Sequence, residues 1–241
     1  MILPDMKMAE MIHLNYEFVS VINRFNIKLG FGDKTIHEVC EDNSVNIDFF
    51  LAIINAYYDN DYFPKEQLKS FPVNMITSYL KKNHEYYLFD KIPELESLIK
   101  KMILECYQKN HKSDLLDSFF TNYKEELIAH VSYEDEVVFP YALNVEKAYL
   151  SGKVTSEIKE QMKNYSIKTY LDKHDDVEEK LYDLKNIIIK YLPAPVNSFL
   201  CNKVLFELFY LEKDLDDHSM LEEKVLIPKV EEMEKSIFIR I

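Results

Sequence analysis

Glycine is scarce in this chain: Gly30, Gly32 and Gly152 are the only three among 241 residues. Phosphate-binding P-loops and dinucleotide-binding turns both need several glycines at fixed spacing, so neither type of site is present. Few glycines, together with long stretches free of proline, also leave few places for sharp turns. The composition therefore favours an all-α chain.

Cysteine and positive charge are sparse as well. Cys40, Cys106 and Cys201 form no CxxC pair and are odd in number, so we expect reduced, partly buried thiols. The formal net charge of −13 repels phosphate backbones and anionic lipids, which argues against nucleic acid or membrane as a partner. No apolar run approaches the ~18 residues of a membrane span. No secretory signal is visible either, so a cytoplasmic location is expected.

The hydrophobic pattern divides the chain into a small leading module and a long helical part. Residues 1–60 have apolar side chains at helical spacing, a capping Thr35 and an apolar helix over Ile47–Tyr58. Residues 65–241 carry four long amphipathic segments with short connections, which predicts an antiparallel four-helix bundle. We expect these segments to run from Pro72 with a break near Pro93, from Ser113 or Asp114 to Leu150, from Thr155 to Tyr191, and from there to Lys235.

One pattern, H-x-x-x-E-acidic-x-V-apolar-apolar-P, occurs twice in the long part. The two copies span residues 130–140 and 218–228. A further histidine precedes each copy, His84 before the first and His174 before the second. The chain therefore resembles a duplicated helical hairpin, in which each copy has a lone histidine and an HxxxE pair. The pairs are His130 with Glu134 and His218 with Glu222.

Helical phase indicates where these side chains point, because residues at i, i+3 and i+4 share one face. The four histidines and two glutamates all fall in register with apolar positions and are predicted to face the core. His13 and His37 share faces with charged residues and are predicted to lie on the surface. The registers are His84 with Val73, Leu80 and Leu88; His130 and Glu134 with Leu116, Phe120, Tyr123, Leu127 and Val137; His174 with Ile167, Leu171, Val177, Leu181 and Ile188; and His218 and Glu222 with Val204, Leu208, Leu211, Leu215 and Val225.

Carboxylates buried in one core need compensation, because an uncompensated buried charge costs several kcal/mol or forces protonation. Bound divalent cations remove that cost, and a buried polar network without metal is the alternative. Structural zinc commonly has thiolate ligands, while calcium and magnesium prefer oxygen ligands. Imidazoles with bridging carboxylates suit iron, with manganese as a possible substitute. The sequence therefore predicts a cofactor of two iron ions in a carboxylate-bridged, non-haem centre.

These motifs resemble the hemerythrin-like (HHE) cation-binding proteins, and more closely the iron-sulfur cluster repair di-iron family. The resemblance covers nearly the whole chain and implies a hemerythrin-like four-helix bundle behind a small leading domain. It also implies the iron ligands: His84, His130, His174 and His218 match terminal ligands, and Glu134 and Glu222 match the bridging carboxylates.

Two features depart from that family. Residues 34–40 resemble its K-T-L-x-x-A-C segment, but residues 29–32 stand where many members have a Cys-Cys pair. The family also often has a fifth histidine between the positions of His84 and His130. His111 fills that place only if the chain breaks, for example at Pro93. Cys106, water or substrate are the alternatives.

The resemblance implies a role in repairing iron-sulfur clusters damaged by nitric oxide or peroxide under stress, by donating iron or handling NO. Two alternatives stay open: a carrier or sensor of O2 or NO, and a di-iron NO reductase or peroxidase. Whether the protein is an enzyme is therefore undecided. The expected partners are a diatomic ligand, O2 or NO, and damaged iron-sulfur proteins, and a homodimer is also considered.

Overall fold

A computed structural model describes residues 1–59, 62–107, 111–171 and 177–239, with the backbone alone at 111–113, 157, 171, 177 and 178. Regular structure in these ranges is helical, apart from an isolated bridge between Lys7 and Thr35. The predicted all-α class is confirmed. None of the helices in the described ranges is both long and apolar enough to cross a membrane.

Five short helices form the leading part of the chain. Thr35 caps the third of them as predicted: its hydroxyl accepts a hydrogen bond from the Glu38 N–H at 3.2 Å. The Glu38 carboxylate in turn accepts one from the Thr35 N–H at 2.7 Å. This reciprocal capping box satisfies two donors that a helix start would otherwise leave unpaired. The helices are α1 (Met8–Leu14), α2 (Phe18–Arg24), α3 (Ile36–Asp42), α4 (Ile47–Tyr58) and α5 (Lys65–Ser70).

Four long helical runs follow, each containing one π-helical segment. The first run is α6 (Val73–Glu85), Tyr86–Lys91 and α7 (Ile92–Cys106). The second is α8 (His111–Tyr133), Glu134–Val138 and α9 (Phe139–Ser151). The third is α10 (Ser156–Asn164), α11 (Ile167–Leu171), α12 (Val177–Asn186) and Ile187–Tyr191. The fourth is α13 (Ser198–Leu221), Glu222–Leu226 and α14 (Ile227–Ile239).

The four runs pack as an antiparallel bundle. Along the first and second runs, α6 contacts α9 and α7 contacts α8, so their directions are opposite. The second run meets the third through α8 with α12, and the third meets the fourth through α11 with α14 and α12 with α13. The predicted end of the second segment near Leu150 is confirmed: α9 ends at Ser151, and Gly152 has φ +65° in the left-handed region that glycine adopts without a Cβ penalty.

Each π-helical segment ends two residues before a proline. The N–H groups of Ile92, Phe139, Leu192 and Ile227 bond to the carbonyl five residues back, and Pro93, Pro140, Pro193 and Pro228 come next. Proline has no N–H, and its ring clashes with the carbonyl four residues before it. One wider turn accommodates the ring without breaking the helix. The predicted break at Pro93 is therefore wrong, because the first run is helical from Val73 to Cys106.

The wider turns also change which residues face the core. Val137 was expected to be buried and is 39% exposed, whereas its neighbour Val138 is 1% exposed. In the first run Tyr87 is buried, while Leu88 is only partly buried. A π-helical turn holds an extra residue and so shifts the apolar register by one position. The prediction assumed regular α-helical spacing, with residues at i, i+3 and i+4 on one face, and so does not account for that shift.

The third run is interrupted where a continuous helix was predicted. The backbone of Tyr165 is extended, and α11 begins at Ile167. The Ile167 N–H donates a hydrogen bond to the buried Glu234 carboxylate at 3.0 Å, and the Thr169 N–H donates to the Ser166 hydroxyl oxygen at 3.3 Å. An acceptor from the fourth run thus stabilises the new helix start, which the local pattern does not reveal.

The buried apolar side chains form two clusters. One includes most of the buried residues of the leading helices together with Leu80, Val138 and Leu221 of the bundle. The other fills the opposite half of the bundle and includes Tyr87 and Leu215. The division into 1–60 and 65–241 stays a prediction, since side chains from both ranges share the first cluster. The region between the two clusters contains the polar residues described next.

Candidate metal centre

Four buried polar side chains meet between the two apolar clusters. His84 comes from α6, Glu134 from the π-helical segment after α8, His218 from α13 and Glu222 from the π-helical segment after it. These residues are between 0 and 3% exposed. One ligand atom from each lies within 4.8 Å of the others, which makes this a group able to hold a metal ion among the described residues.

The repeated sequence pattern explains why two glutamates reach one point. In each copy the glutamate is the first residue of a π-helical segment, and the proline six residues later sets that segment. The histidine of each pair lies one turn earlier, so its imidazole and the carboxylate face the same side. π-Bulges inside α-helices are frequent at functional sites. The prolines of the motif thus help to position its acids.

Direct contacts link the polar groups into one network. The His84 Nε2 atom lies 3.2 Å from Glu134 Oε2 and 3.2 Å from His218 Nε2. The His130 Nε2 atom lies 3.1 Å from Glu134 Oε1. Glu222 joins this network through its Oε1 atom, which lies 3.5 Å from His218 Nε2. The nitrogens and oxygens that would bind a cation therefore already face one another.

Aromatic rings enclose the cluster. The His84 ring stacks on Phe139 with centroids 5.4 Å apart, and Tyr87 meets the His218 ring edge-on at 5.8 Å. Both aromatic residues are fully buried. Such walls exclude water and lower the local dielectric, which strengthens every charge interaction inside.

The clustered side chains shift one another's pKa values and so compensate one another's charges. Burial opposes ionisation of Glu134, but His130 and His84 outweigh it and hold the pKa of that carboxyl well below its usual range. Burial also opposes charge on His84, yet hydrogen bonds to Asp135 and Glu134 raise its pKa. Burial and the neighbouring His84 together lower the pKa of His218 well below its ordinary value. Without metal, these interactions stabilise the ionised form of Glu134, the protonated form of His84 and the neutral form of His218.

Three residues in contact with the cluster were not predicted from the sequence. Asp135 accepts a hydrogen bond from His84 Nδ1 at 3.0 Å, Asn83 Nδ2 lies 3.1 Å from His218 Nδ1, and the Tyr170 hydroxyl donates to Glu134. For Asp135 a signal exists, because an acid follows the glutamate in both copies of the motif. Asn83 and Tyr170 carry no comparable signal, since their roles depend on how the runs pack.

The structure places the remaining predicted ligands differently. His130 contacts Glu134, and its side chain is 16% exposed, more than those of the four clustered residues. His174 lies outside the described residues.

His111 is the first residue of α8, and roughly 28 Å of helix separates it from His130. Cys106 ends α7, and its thiol donates to the Asn197 carbonyl oxygen at 3.4 Å. Roughly 33 Å of helix lies between Cys106 and His84.

The donor set fits a divalent metal of the iron type. Imidazole nitrogens and carboxylate oxygens suit iron and manganese, and none of the described members of the group is a thiolate. A cation bound at His84 would require the neutral imidazole, because a ligating nitrogen needs its lone pair. His13 and His37 are exposed, as predicted.

Comparisons with known proteins agree with a cation-binding site in this chain. The family described as Hemerythrin HHE cation binding domain matches residues 75–230, more than half of the chain. A relative named iron-sulfur cluster repair protein ScdA, from Staphylococcus haemolyticus (strain JCSC1435), is 20% identical over 201 residues. That alignment covers 82% of this chain and 85% of the relative. The matched family range contains each of the four clustered residues.

Proposed function

Because this chain belongs to the hemerythrin HHE cation-binding domain family, we propose that it is a non-haem di-iron protein. We further propose that it acts in the repair of iron-sulfur clusters damaged by nitrosative or oxidative stress. The observation that carries the proposal is the buried group His84, Glu134, His218 and Glu222, with ligand atoms within 4.8 Å of one another. Two carboxylates in so dry a site favour bound cations over a metal-free core.

The proposed roles follow the chemistry of the side chains. Glu134 and Glu222 each have two oxygens and would be the carboxylate ligands that two ions share. His84 and His218 would be terminal ligands through Nε2, and His130 and His174 would complete the set as the family resemblance implies. Two iron ions held there would supply redox chemistry and binding of diatomic ligands such as O2 or NO.

The surrounding residues have supporting roles in this proposal. Asp135 orients the His84 ring, because a hydrogen bond at Nδ1 leaves Nε2 for the metal. Phe139 and Tyr87 exclude water from the two imidazoles. His130, with the most exposed side chain among the ligands that the structure describes, would mark the side from which a small ligand enters. The repair role rests on the similarity to the ScdA relative, and the cargo would be iron passed to a damaged cluster protein.

Metal content tests the ligand assignment. Glu134→Leu and Glu222→Leu should each abolish stable iron binding, because each removes a bridging carboxylate. The matched controls are His13→Ala and His37→Ala, which change exposed histidines with a glutamate four residues on. Iron per chain, measured by mass spectrometry after loading without oxygen, should fall only in the glutamate variants. Equal iron content in all four variants refutes the assignment.

Three assays of the iron-loaded protein separate the repair role from its alternatives. Transfer of iron to a cluster-free acceptor protein, with recovery of its cluster, supports repair. A reversible spectral change with O2 or NO, without turnover, supports a carrier or sensor. Catalytic loss of NO with an added electron donor supports a reductase. Absence of transfer under conditions where the iron is released to a chelator would contradict the repair role.

A further inference from the structure

Two of the three cysteines come together in the second apolar cluster, although they are far apart in the sequence. Cys106 is the last residue of α7, and Cys201 lies in the first turn of α13. Both residues belong to that cluster, and both are present as free, buried thiols. Their side chains therefore meet where the end of one bundle helix packs on the start of another.

One carbonyl oxygen lies between the two cysteines. The Asn197 carbonyl oxygen accepts a hydrogen bond from the Cys106 thiol at 3.4 Å and another from the Cys201 N–H at 3.3 Å. The Val196 N–H also donates to the Cys106 carbonyl oxygen at 3.3 Å. These bonds hold the end of α7 against the start of α13, so a single oxygen atom separates the Cys106 sulfur from the Cys201 backbone.

The side chain of Cys201 extends toward Cys106. Helical side chains lean toward the N-terminus, over the residue four positions earlier, and for Cys201 that residue is Asn197. The Cys201 Sγ atom also lies 3.4 Å from the hydroxyl of Tyr107, the residue after Cys106. Burial raises the pKa of the Cys106 thiol, and the nearby Cys201 adds to that rise. These observations place the two sulfurs close together.

Cys40 shows what an ordinary buried cysteine looks like in the same chain. It lies on α3 in the first apolar cluster, where it fills space as a small hydrophobic side chain. Cys106 and Cys201 differ from it because each has the other as a neighbour. A disulfide needs the two Cβ atoms within about 4.5 Å, a separation open to side chains that pack across one carbonyl group.

We propose that Cys106 and Cys201 are a redox-active pair, which hydrogen peroxide closes to an intrachain disulfide and a thiol reductant reopens. One sulfur, as the thiolate, attacks a peroxide oxygen: an S–O bond forms, the O–O bond breaks, and the leaving hydroxide takes up the thiol proton as water. The second sulfur then attacks the first: the S–S bond forms, the S–O bond breaks, and a second water leaves with the other thiol proton. Each sulfur loses one electron, and the peroxide gains two. Thiol–disulfide exchange with the reductant reverses the closure.

Closure should stabilise the far end of the bundle without touching the metal centre. The disulfide would close a loop of about 95 residues and so constrain the unfolded chain. The urea midpoint should therefore rise by roughly 1 M on oxidation and return after treatment with dithiothreitol. Roughly 33 Å of helix separates Cys106 from His84, so the pair acts independently of the proposed iron site.

The experiment treats the metal-free protein with hydrogen peroxide, blocks the remaining thiols with N-ethylmaleimide and identifies linked peptides by mass spectrometry without reduction. The expected product joins the peptides of Cys106 and Cys201 and disappears after dithiothreitol. Cys106→Ser and Cys201→Ser should each lack this product, while the matched control Cys40→Ser should form it as the native protein does. Linkage in the native protein decides the result even where a serine variant folds poorly.

Three results would overturn the proposal. In the first, all three cysteines remain thiols in the folded protein. In the second, disulfides that include Cys40 form as readily as the expected one. In the third, the expected bond forms only in urea or lowers the urea midpoint, which would mean that the folded chain does not bring the two sulfurs together. Since no metal is added, none of these results depends on the proposed function.

Discussion

Replacing Arg24 with methionine should destabilise the metal-free protein more than the loss of an ordinary ion pair does. Arg24 ends α2, and its guanidinium donates through Nη2 to the Asp214 carboxylate on α13, 190 residues further along the chain. The two side chains are only 3% and 9% exposed. Methionine fills much of the same volume but leaves the carboxylate buried without its cation.

The expected cost is about 3–5 kcal/mol, the range for breaking one partner of a buried pair. The nearby Asp217 should increase this cost, because its carboxyl also interacts with the Asp214 charge. Burial, and to a lesser degree that charge, raise the pKa of Asp217 to about 6, and Lys213 opposes this rise. In a chain of 241 residues such a loss lowers the melting temperature by about 10 °C. Urea unfolding followed by circular dichroism at pH 7 measures it.

Two further variants make this prediction specific. Lys34→Met breaks an ion pair with Asp42 in which both side chains are half exposed, and it should leave the unfolding midpoint nearly unchanged. The double variant Arg24→Met/Asp214→Leu removes both charges and should recover most of the lost stability. The reasoning is refuted if Arg24→Met loses no more than Lys34→Met, or if the double variant is as unstable as the single one.

Three other outcomes follow from single features of the structure. Gly152→Ala should cost about 1 kcal/mol in urea unfolding, because φ is +65° although the added Cβ meets no neighbouring atom; no loss would contradict the left-handed turn. Burial raises the pKa of the Cys40 thiol to about 11, so little of it is thiolate at pH 8. In a Cys106→Ser/Cys201→Ser variant, which keeps Cys40, this thiol should react with a thiol reagent ~200-fold more slowly than free cysteine. Equal rates would show an accessible thiol. Burial also raises the pKa of Glu234, so the folded state holds that proton more tightly than the unfolded chain. The native protein should therefore gain stability relative to Glu234→Gln as pH falls from 7 to 4, and an opposite trend in urea midpoints would contradict it.

The sequence predicted the general position of the helices and the residues that face the core, because both depend on local periodicity. The cap at Thr35, the end of the second run near Leu150 and the exposed His13 and His37 are local features and are confirmed. Leu80 and Leu208, which were predicted to face the core, are likewise buried.

Features that depend on packing between helices were not predictable in this way. The first run continues through a π-helical turn where a break at Pro93 was expected. In the second run a π-helical turn buries Val138 where Val137 was expected to be buried. The interruption near Tyr165 depends on a carboxylate contributed by another run. The same limit applies to the site: the motif indicates its histidines and glutamates, but which amide or hydroxyl contacts them depends on the neighbouring helices. Both copies of the motif contain the proline, so its wider turn is a rule that sequence analysis of similar chains can apply.

The most direct test of the account is anomalous diffraction at the iron absorption edge, from crystals grown and loaded without oxygen. The account predicts two iron peaks per chain, about 3.5–4 Å apart, with Glu134 and Glu222 bound to both and the Nε2 atoms of His84 and His218 bound to one or the other. A single peak, or iron bound elsewhere while these two glutamates contact no metal, would contradict the central claim.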